Sequence, residues 1–341
     1  MAVTLPSLTQ TIDNAFLTTW YDIRPEAIDN VLDATVVWAV LNNSGCMQTQ
    51  EGSELITRTI RYGEDTATAI KKGDMLPVGE VELETMAIWT WRTIASKVQR
   101  DTFDDQKNRG PSKIKDYVGL KITGARDALE QKFESSTLNA IDTAETSREM
   151  QGINDLLPPI ASRSTGTYGR ITRPATFSDS GNGVYKPATG NTFWGANYLP
   201  GVLNSIEDDL LDDMKKLYNS THNNQTPPNL ILTTQSLFEI YETFALDAVQ
   251  IIKDESTFLA DLGFEVLRFK GKPLVWTSNM TANHMCMLNT NFIELVYDPA
   301  YWFAMTDWKP IPLETKRIAH ILCFANMITT QPRRHGRLEY A

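Results

Sequence analysis

The sequence predicts an α+β chain of two domains, or of one domain with long extensions, and three observations carry that expectation. Two charged β-strands at 54–62 and 80–91 read as a ribbon, a helix over 112–142 carries an unbroken apolar stripe, and short apolar strands alternate with amphipathic helices from 201 to 296. The chain has 341 residues, beyond the length of about 250–300 at which one hydrophobic core usually stops growing.

Composition narrows the function classes. With 42% hydrophobic and 22% charged residues the chain falls in the ordinary globular range, which argues against wholesale disorder. Cys46, Cys286 and Cys323 are an odd number without the short spacing of zinc or redox motifs, so the chain is expected to work in a reducing cytoplasm with neither metal nor other cofactor. The N-terminus lacks a basic region followed by an apolar run, and no stretch of eighteen apolar residues occurs, which disfavours secretion and membrane spanning. A formal net charge of −10 argues against a dedicated reader of nucleic acid, though not against enclosing it.

The elements follow in order. Residues 13–42 read as an arm and then a helix: Pro25 suits a first turn, Ile28, Val31, Leu32, Thr35 and Val36 recur at helical spacing, and Gly45 ends the element. In the ribbon, β-branched residues alternate with polar ones, and the polar stretch from Gly63 to Gly79 is far longer than the ~2–5 residues of most hairpin loops. Arg58 and Arg61 lie on its first strand and Glu80, Glu82 and Glu84 on one face of its second, so opposite charges are expected to meet across the ladder; Lys71 and Lys72 mark the tip. Taken alone this ribbon reads equally well as a solvated edge hairpin, since exposed ion pairs stabilise by only ~0.2–1 kcal/mol.

The long helix places Ile114, Val118, Ile122, Ala125, Leu129 and Phe133 on one stripe, behind a Ser112 cap. At ~1.5 Å per residue it would span roughly 40 Å and act as a spine. From Gly152 to Pro200 the composition turns to Gly, Ser, Thr, Asn and Pro, which reads as a loop region opening the second domain. That domain then offers an acidic helix near 201–219, a strand at 229–233, a helix capped by Thr233 or Thr234, a hairpin of 264–269 and 273–277 turning at Lys270-Gly271, and strands at 285–288 and 292–296. Residues 313–330 close as one long strand.

Catalytic constellations do not emerge. The run Glu207-Asp-Asp-Leu-Leu-Asp-Asp213 could hold a hard cation, but the leucines at 210, 211 and 217 put its acids on the solvated side of a helix. Asp101, Asp104 and Asp105 adjoin Lys97, Arg100 and Lys107 and read as an ion-paired surface. His222, His284, His320 and His335 never share metal-ligand spacing, and the cysteines at 286 and 323 lie in apolar stretches where a thiol is a small hydrophobe. Phosphate-loop, dinucleotide and nucleophile-elbow motifs are absent, so an enzyme is not expected.

Arm, charged ribbon, strand passing into a long helix, mixed α/β domain and returning strand, in that order, resemble the Hong Kong 97-type major capsid proteins of tailed bacteriophages. Residues 83–101 look like that family's passage from its extended loop into the peripheral domain. Gln151-Gly-Ile-Asn154 is similar to its approach to the axial domain, as 229–237 and 264–280 are to its strand-then-helix and its later hairpin. The resemblance implies an arm and helix at 1–50, an extended loop at 51–82, a peripheral domain at 83–150 completed by a return strand at 306–341, and an axial domain at 151–305. It also implies hexamers and pentamers in an icosahedral head around double-stranded DNA, assembled in the host cytoplasm and with no sequence-specific contact to that DNA. Arg58, Arg61, Lys71, Lys72, Glu80, Glu82 and Glu84 become the inter-subunit contact candidates. Partners would be a portal protein, a decoration protein and a separate scaffolding protein, the last because no long charged helical segment precedes the arm. Some members link a loop lysine covalently to a neighbour's asparagine, and Lys71 and Lys72 stand where that lysine would lie; an unlinked shell is the expectation here. An encapsulin-like compartment is the alternative of the same architecture.

Overall fold

The structure, a computed structural model, describes residues 44–64, 67–75, 81–103, 117–139, 148–203, 206–222, 226–247 and 267–340. The arm and helix expected at 13–42 and the Ser112 cap lie outside the described residues. The chain divides into two compact units, one including 95–129 and 305–321, the other 35–94, 130–304 and 322–341.

Strands β1 (Met47–Thr49), β2 (Leu55–Arg61), β3 (Glu84–Thr90) and β4 (Arg92–Asp101) precede helix α1 (Tyr117–Asn139). Along α1 the anticipated stripe is buried at Ala125, Leu129 and Phe133. After it come a single helical turn at Ile153–Leu156 and then β5 (Thr167–Tyr168), β6 (Ile171–Thr172), β7 (Thr176–Asp179), β8 (Tyr185–Thr189) and β9 (Asn197–Gly201). The stretch read as loop therefore holds five short strands. Their turn-rich composition hides them: β5 pairs β6, β7 pairs β8 and β8 pairs β9 in short pieces, and only β9 reaches a distant partner, β18.

Next are α2 (Ile206–Thr221), β10 (Leu230–Thr233), α3 (Gln235–Asp247), β11 (Leu267–Phe269), β12 (Lys272–Trp276), β13 (His284–Leu288) and β14 (Ile293–Tyr297). The chain closes with β15 (Ala304–Met305), β16 (Lys309–Pro310), β17 (Lys316–Thr329) and β18 (Gly336–Tyr340). Thr234 precedes α3, and its carbonyl accepts from Phe238 N at 3.1 Å, as a cap position should. Lys270 and Gly271 have φ of +49° and +77°, the paired left-handed residues of a two-residue hairpin turn between β11 and β12.

In the smaller unit the end of β4 is tied to the turn before β17. Thr102 donates to Thr315 O through both its backbone N and its hydroxyl, at 3.2 and 2.7 Å, and Thr315 Oγ1 donates to Asp101 Oδ1 at 3.1 Å. β16 pairs antiparallel with the start of β17, and Lys121 of α1 donates to Gln99 O at 3.1 Å. Asp101 is thus spent on backbone and side-chain donors; Asp104 and Asp105 lie outside the described residues.

The larger unit is organised by an eight-stranded sheet in the order β11-β12-β10-β13-β18-β9-β8-β7. β10 and β12 run parallel across the α3 crossover, and β10 and β13 are buried along their whole length, the near-continuous apolar reading of a central strand. α2 and α3 pack on this sheet through Leu210, Met214, Leu217, Leu237 and Phe238. One acid of α2 breaks expectation. Glu207, Asp208, Asp209 and Asp212 are exposed as read, but Asp213 is buried, accepts from Tyr340 Oη at 3.2 Å and is held up in pKa by its loss of solvent. It sits one position round the helix from Asp212, where the apolar stripe begins.

Gln151–Asn154 is built around a close approach. A Cβ on Gly152 would stand 2.3 Å from Ser136 O and 2.6 Å from Thr137 O, both backbone atoms at the end of α1, so only glycine fits. Gln151 N donates to Asn326 Oδ1 at 3.0 Å, and Asn326 Nδ2 reaches Thr90 O at 3.0 Å, which ties β17 to this passage. Gly152→Ala should destabilise the chain by about 3 kcal/mol, since overpacking against backbone cannot relax by rotamer change; guanidinium unfolding followed by tryptophan fluorescence measures it, and a loss under 0.5 kcal/mol contradicts it.

β18 and the residue before it form the most polar part of the core. Arg337, 1% exposed, donates to Asn154 Oδ1 and Leu157 O, both at 2.7 Å, and to Glu339 Oε2 at 3.2 Å, and lies 2.9 Å from His284 Nδ1. His284 Nδ1 can accept that bond only if the ring proton sits on Nε2, which faces Glu339 Oε1 at 3.4 Å. The hydrogen bond from His284 holds the Glu339 carboxyl at about 2. His335 receives Asn289 N–H on Nδ1 at 3.1 Å, so its own proton is on Nε2, toward Thr329 Oγ1 at 3.1 Å; that hydroxyl donates to Phe292 O at 2.8 Å.

Burial lowers His335 to about 3. The unfolded chain therefore binds a proton here below about pH 6.5 that the folded chain refuses until about pH 3, and stability present above pH 6.5 is lost as pH falls. Glu339 contributes a loss of the same sign only below its unfolded value near 4.5. Between pH 6.5 and 4.5, His335 should account for about 1.4 kcal/mol per pH unit. His335→Asn, which keeps an acceptor for Asn289 N, should be less stable at pH 7 yet flatter across this window; equal slopes in denaturant titrations of both proteins would refute the assignment.

Candidate functional site

The β2–β3 ribbon is the candidate, and its alternation gives it two unlike faces. The register Ile56↔Trp89, Arg58↔Ala87 and Ile60↔Thr85 sends Ile56, Ile60, Ala87 and Trp89 into a core completed by Tyr168, Trp194, Val296 and Ile328. The aromatic residues at 168 and 194, far from the ribbon in sequence, supply much of the bulk of that core. Ile88 N donates to Gly169 O at 3.0 Å and Trp91 Nε1 to Ser53 O at 2.7 Å, fixing the base.

The other face is open. Thr57, Thr59, Arg61, Glu84 and Met86 point outward, and the exposed apolar side chains include Met86 (55%), Ile70 (50%) and Met75 (94%). The charge ladder expected across the strands is realised at one described rung, where Arg61 stands opposite Glu84. Arg58 faces inward, and its Nε and Nη2 meet Glu294 Oε2 of β14 at 2.8 and 2.7 Å, both side chains about a quarter exposed. Glu82 accepts from Tyr62 Oη at 3.0 Å, which pushes the phenol pKa up, and Tyr62 stacks on Phe193 with centroids 4.6 Å apart. Lys71 and Lys72 are exposed at a turn in which Lys71 N donates to Asp74 Oδ2 at 2.7 Å. Glu80 lies outside the described residues.

The residues thus fall into two groups: Arg58 serves its own chain, while Arg61, Lys71, Lys72 and Glu84 are presented outward. Glu294, the partner of Arg58, carried no local signal because it lies 236 residues away. Breaking one partner of this half-buried pair should cost about 1–2 kcal/mol, and a double-mutant cycle of Arg58→Ala and Glu294→Ala should give a coupling near 1 kcal/mol; a coupling of zero would show that the contact contributes nothing to holding the ribbon.

Other chemistry is quiet. Among the described residues no group of three or more His, Cys, Asp or Glu is placed to hold a metal ion, and no helix is long and apolar enough to cross a membrane. The three thiols are buried and free, and burial pushes Cys46 and Cys286 up to about 11 and Cys323 to about 12, far from reactive thiolates.

No family model matches this sequence, and neither does any curated protein. Solved structures do match. The capsid asymmetric unit of cyanophage A-1(L) superposes with a TM-score of 0.62 at 14% identity, covering 94% of this chain and 96% of that one. The capsid of the myovirus XM1 gives 0.56 at 8% identity, over 94% and 97%. The encapsulin complex of Synechococcus elongatus gives 0.52 at 10% identity, over 99% and 96%. The chain has the Hong Kong 97-type capsid fold.

Proposed function

We propose that this chain is the major capsid protein of a tailed bacteriophage, assembling as hexamers and pentamers into an icosahedral head around double-stranded DNA. The observation that carries this reading is the likeness to phage capsid chains over nearly the full length of both partners. The outward ribbon face and the loop beyond it support it, since Met86 on the face, Ile70 and Met75 in the loop and the charged residues beside them are exposed surface that a neighbouring copy would cover. In this reading 51–82 is the extended loop, 83–150 with a return strand within 306–341 the peripheral domain, and 151–305 the axial domain, with β18 at the end of the chain pairing with β13 and β9 of the latter. Arg61, Lys71, Lys72, Glu82 and Glu84, with Glu80, touch neighbours, and Arg58 acts by steadying the ribbon from within. The role is structural, not catalytic. A scaffolding protein, a portal and a decoration protein are its partners, and assembly takes place in the bacterial cytoplasm. The charge of −10 suits a container that must not grip phosphates during packing.

The encapsulin reading shares the architecture and is favoured less, because the likeness to the cyanophage capsid is the greater one. Expression with its scaffolding partner should give closed shells in electron micrographs, and Arg61→Glu with Lys71→Glu and Lys72→Glu should reduce shell yield at least tenfold while leaving unfolding unchanged. A chain that stays a protease-resistant monomer with that partner would overturn the proposal. Mature particles should run on a denaturing gel as one band near 38.4 kDa; a ladder of multiples would instead make Lys71 or Lys72 a cross-linking residue.

A further inference from the structure

The last strand made in the eight-stranded sheet occupies its middle. β18 pairs antiparallel with β13, His284 opposite Glu339, and parallel with β9, Asn197 beside Gly336. Without β18, the strand order leaves β11-β12-β10-β13 on one side and β9-β8-β7 on the other. Both inner edges then carry unpaired backbone groups, and β13 is the apolar, wholly buried strand whose bare edge would invite wrong pairing.

The gap is also selective for what fills it. Gly336 sits under α2, where a Cβ would stand 2.8 Å from Leu217 and 2.7 Å from Thr221. At the next position Arg337 satisfies Asn154 Oδ1 and Leu157 O, groups from the helical turn ahead of the sheet. Leu338 is fully buried, Glu339 accepts from Ile160 N at 3.0 Å, and Tyr340 donates from its hydroxyl to Asp213 and from its backbone to Asn283 O. Arg337, Glu339 and Tyr340 are thus each held by groups outside the strand, and Leu338 is buried in the core.

We infer that β18 is a sequence-read latch: the core of the larger unit stays open, with β9 and α2 unsecured, until this strand inserts, so a chain lacking it does not reach the native state. Where the chain builds a shell, the latch keeps incomplete copies out of it; that consequence rests on the proposed function, whereas the latch does not.

The test reads protection and not assembly. The full chain is compared with a chain ended at Thr330, the latter synthesised with or without a saturating synthetic peptide of residues 331–340, and limited proteolysis is followed over residues 197–221 by mass spectrometry. Without peptide this segment should be cut at least tenfold faster than in the full chain. The peptide should restore protection to within twofold, and the same peptide carrying Leu338→Asp should not. A truncated chain as resistant as the full one overturns the inference, as does a wild-type peptide that leaves cleavage unchanged or a Leu338→Asp peptide that protects equally well.

Discussion

A guanidinium buried at the centre of a sheet has to be satisfied from every side, and much of the larger unit is arranged to do that for Arg337. An unpaired charge there would cost several kcal/mol. The partners supplied are a carboxylate on its own strand, a ring nitrogen on β13, and an amide oxygen and a carbonyl from the helical turn at Ile153–Leu156 and just beyond it. Because these come from elements far apart in sequence, satisfying the charge fixes their mutual positions. Gly152, which opens that turn, is pressed against the end of α1 by the same requirement for space. His335 extends the pattern, as a neutral ring whose tautomer is set by backbone on one side and a threonine on the other.

What was legible in the sequence was what local pattern decides. The stripe of α1, the β10-α3-β12 alternation and the Lys270-Gly271 turn depend on residues near one another, and each stands where its spacing puts it. The strands between 167 and 201 were not legible, because pieces of two to five residues rich in turn formers become strands only when β18 and their own neighbours supply partners. β18 itself was hidden for the same reason: Arg-Leu-Glu-Tyr alternates charge with bulk, which suits a solvated edge, and only the buried partners at 154, 157 and 284 make it a central strand. Arg58 misled in the opposite direction. Period-two alternation places it on the face of Ile56 and Ile60, where its charge is met by Glu294 from a distant strand, so the sign of a ribbon residue alone does not tell which face it serves.

That inward placement bears on how the ribbon would work. A long hairpin free in solution would lose much conformational freedom on docking, and its contacts would have to offset that loss before they stabilised anything. Here the Ile56–Trp89 face is packed, the base is hydrogen-bonded to residues 53 and 169, and Arg58 is clamped to Glu294, so the outward face is held in shape before any partner arrives. In the proposed shell, modest contacts from Met86, Arg61 and Glu84 would then cost little to make. In that proposed role, weak contacts repeated around a ring of identical copies would sum to a stable wall while each stayed individually reversible, and reversibility is what lets a growing shell correct a misplaced subunit. The buried face supplies rigidity and, in the proposed role, the exposed face supplies adhesion, both from the same alternating strand pair.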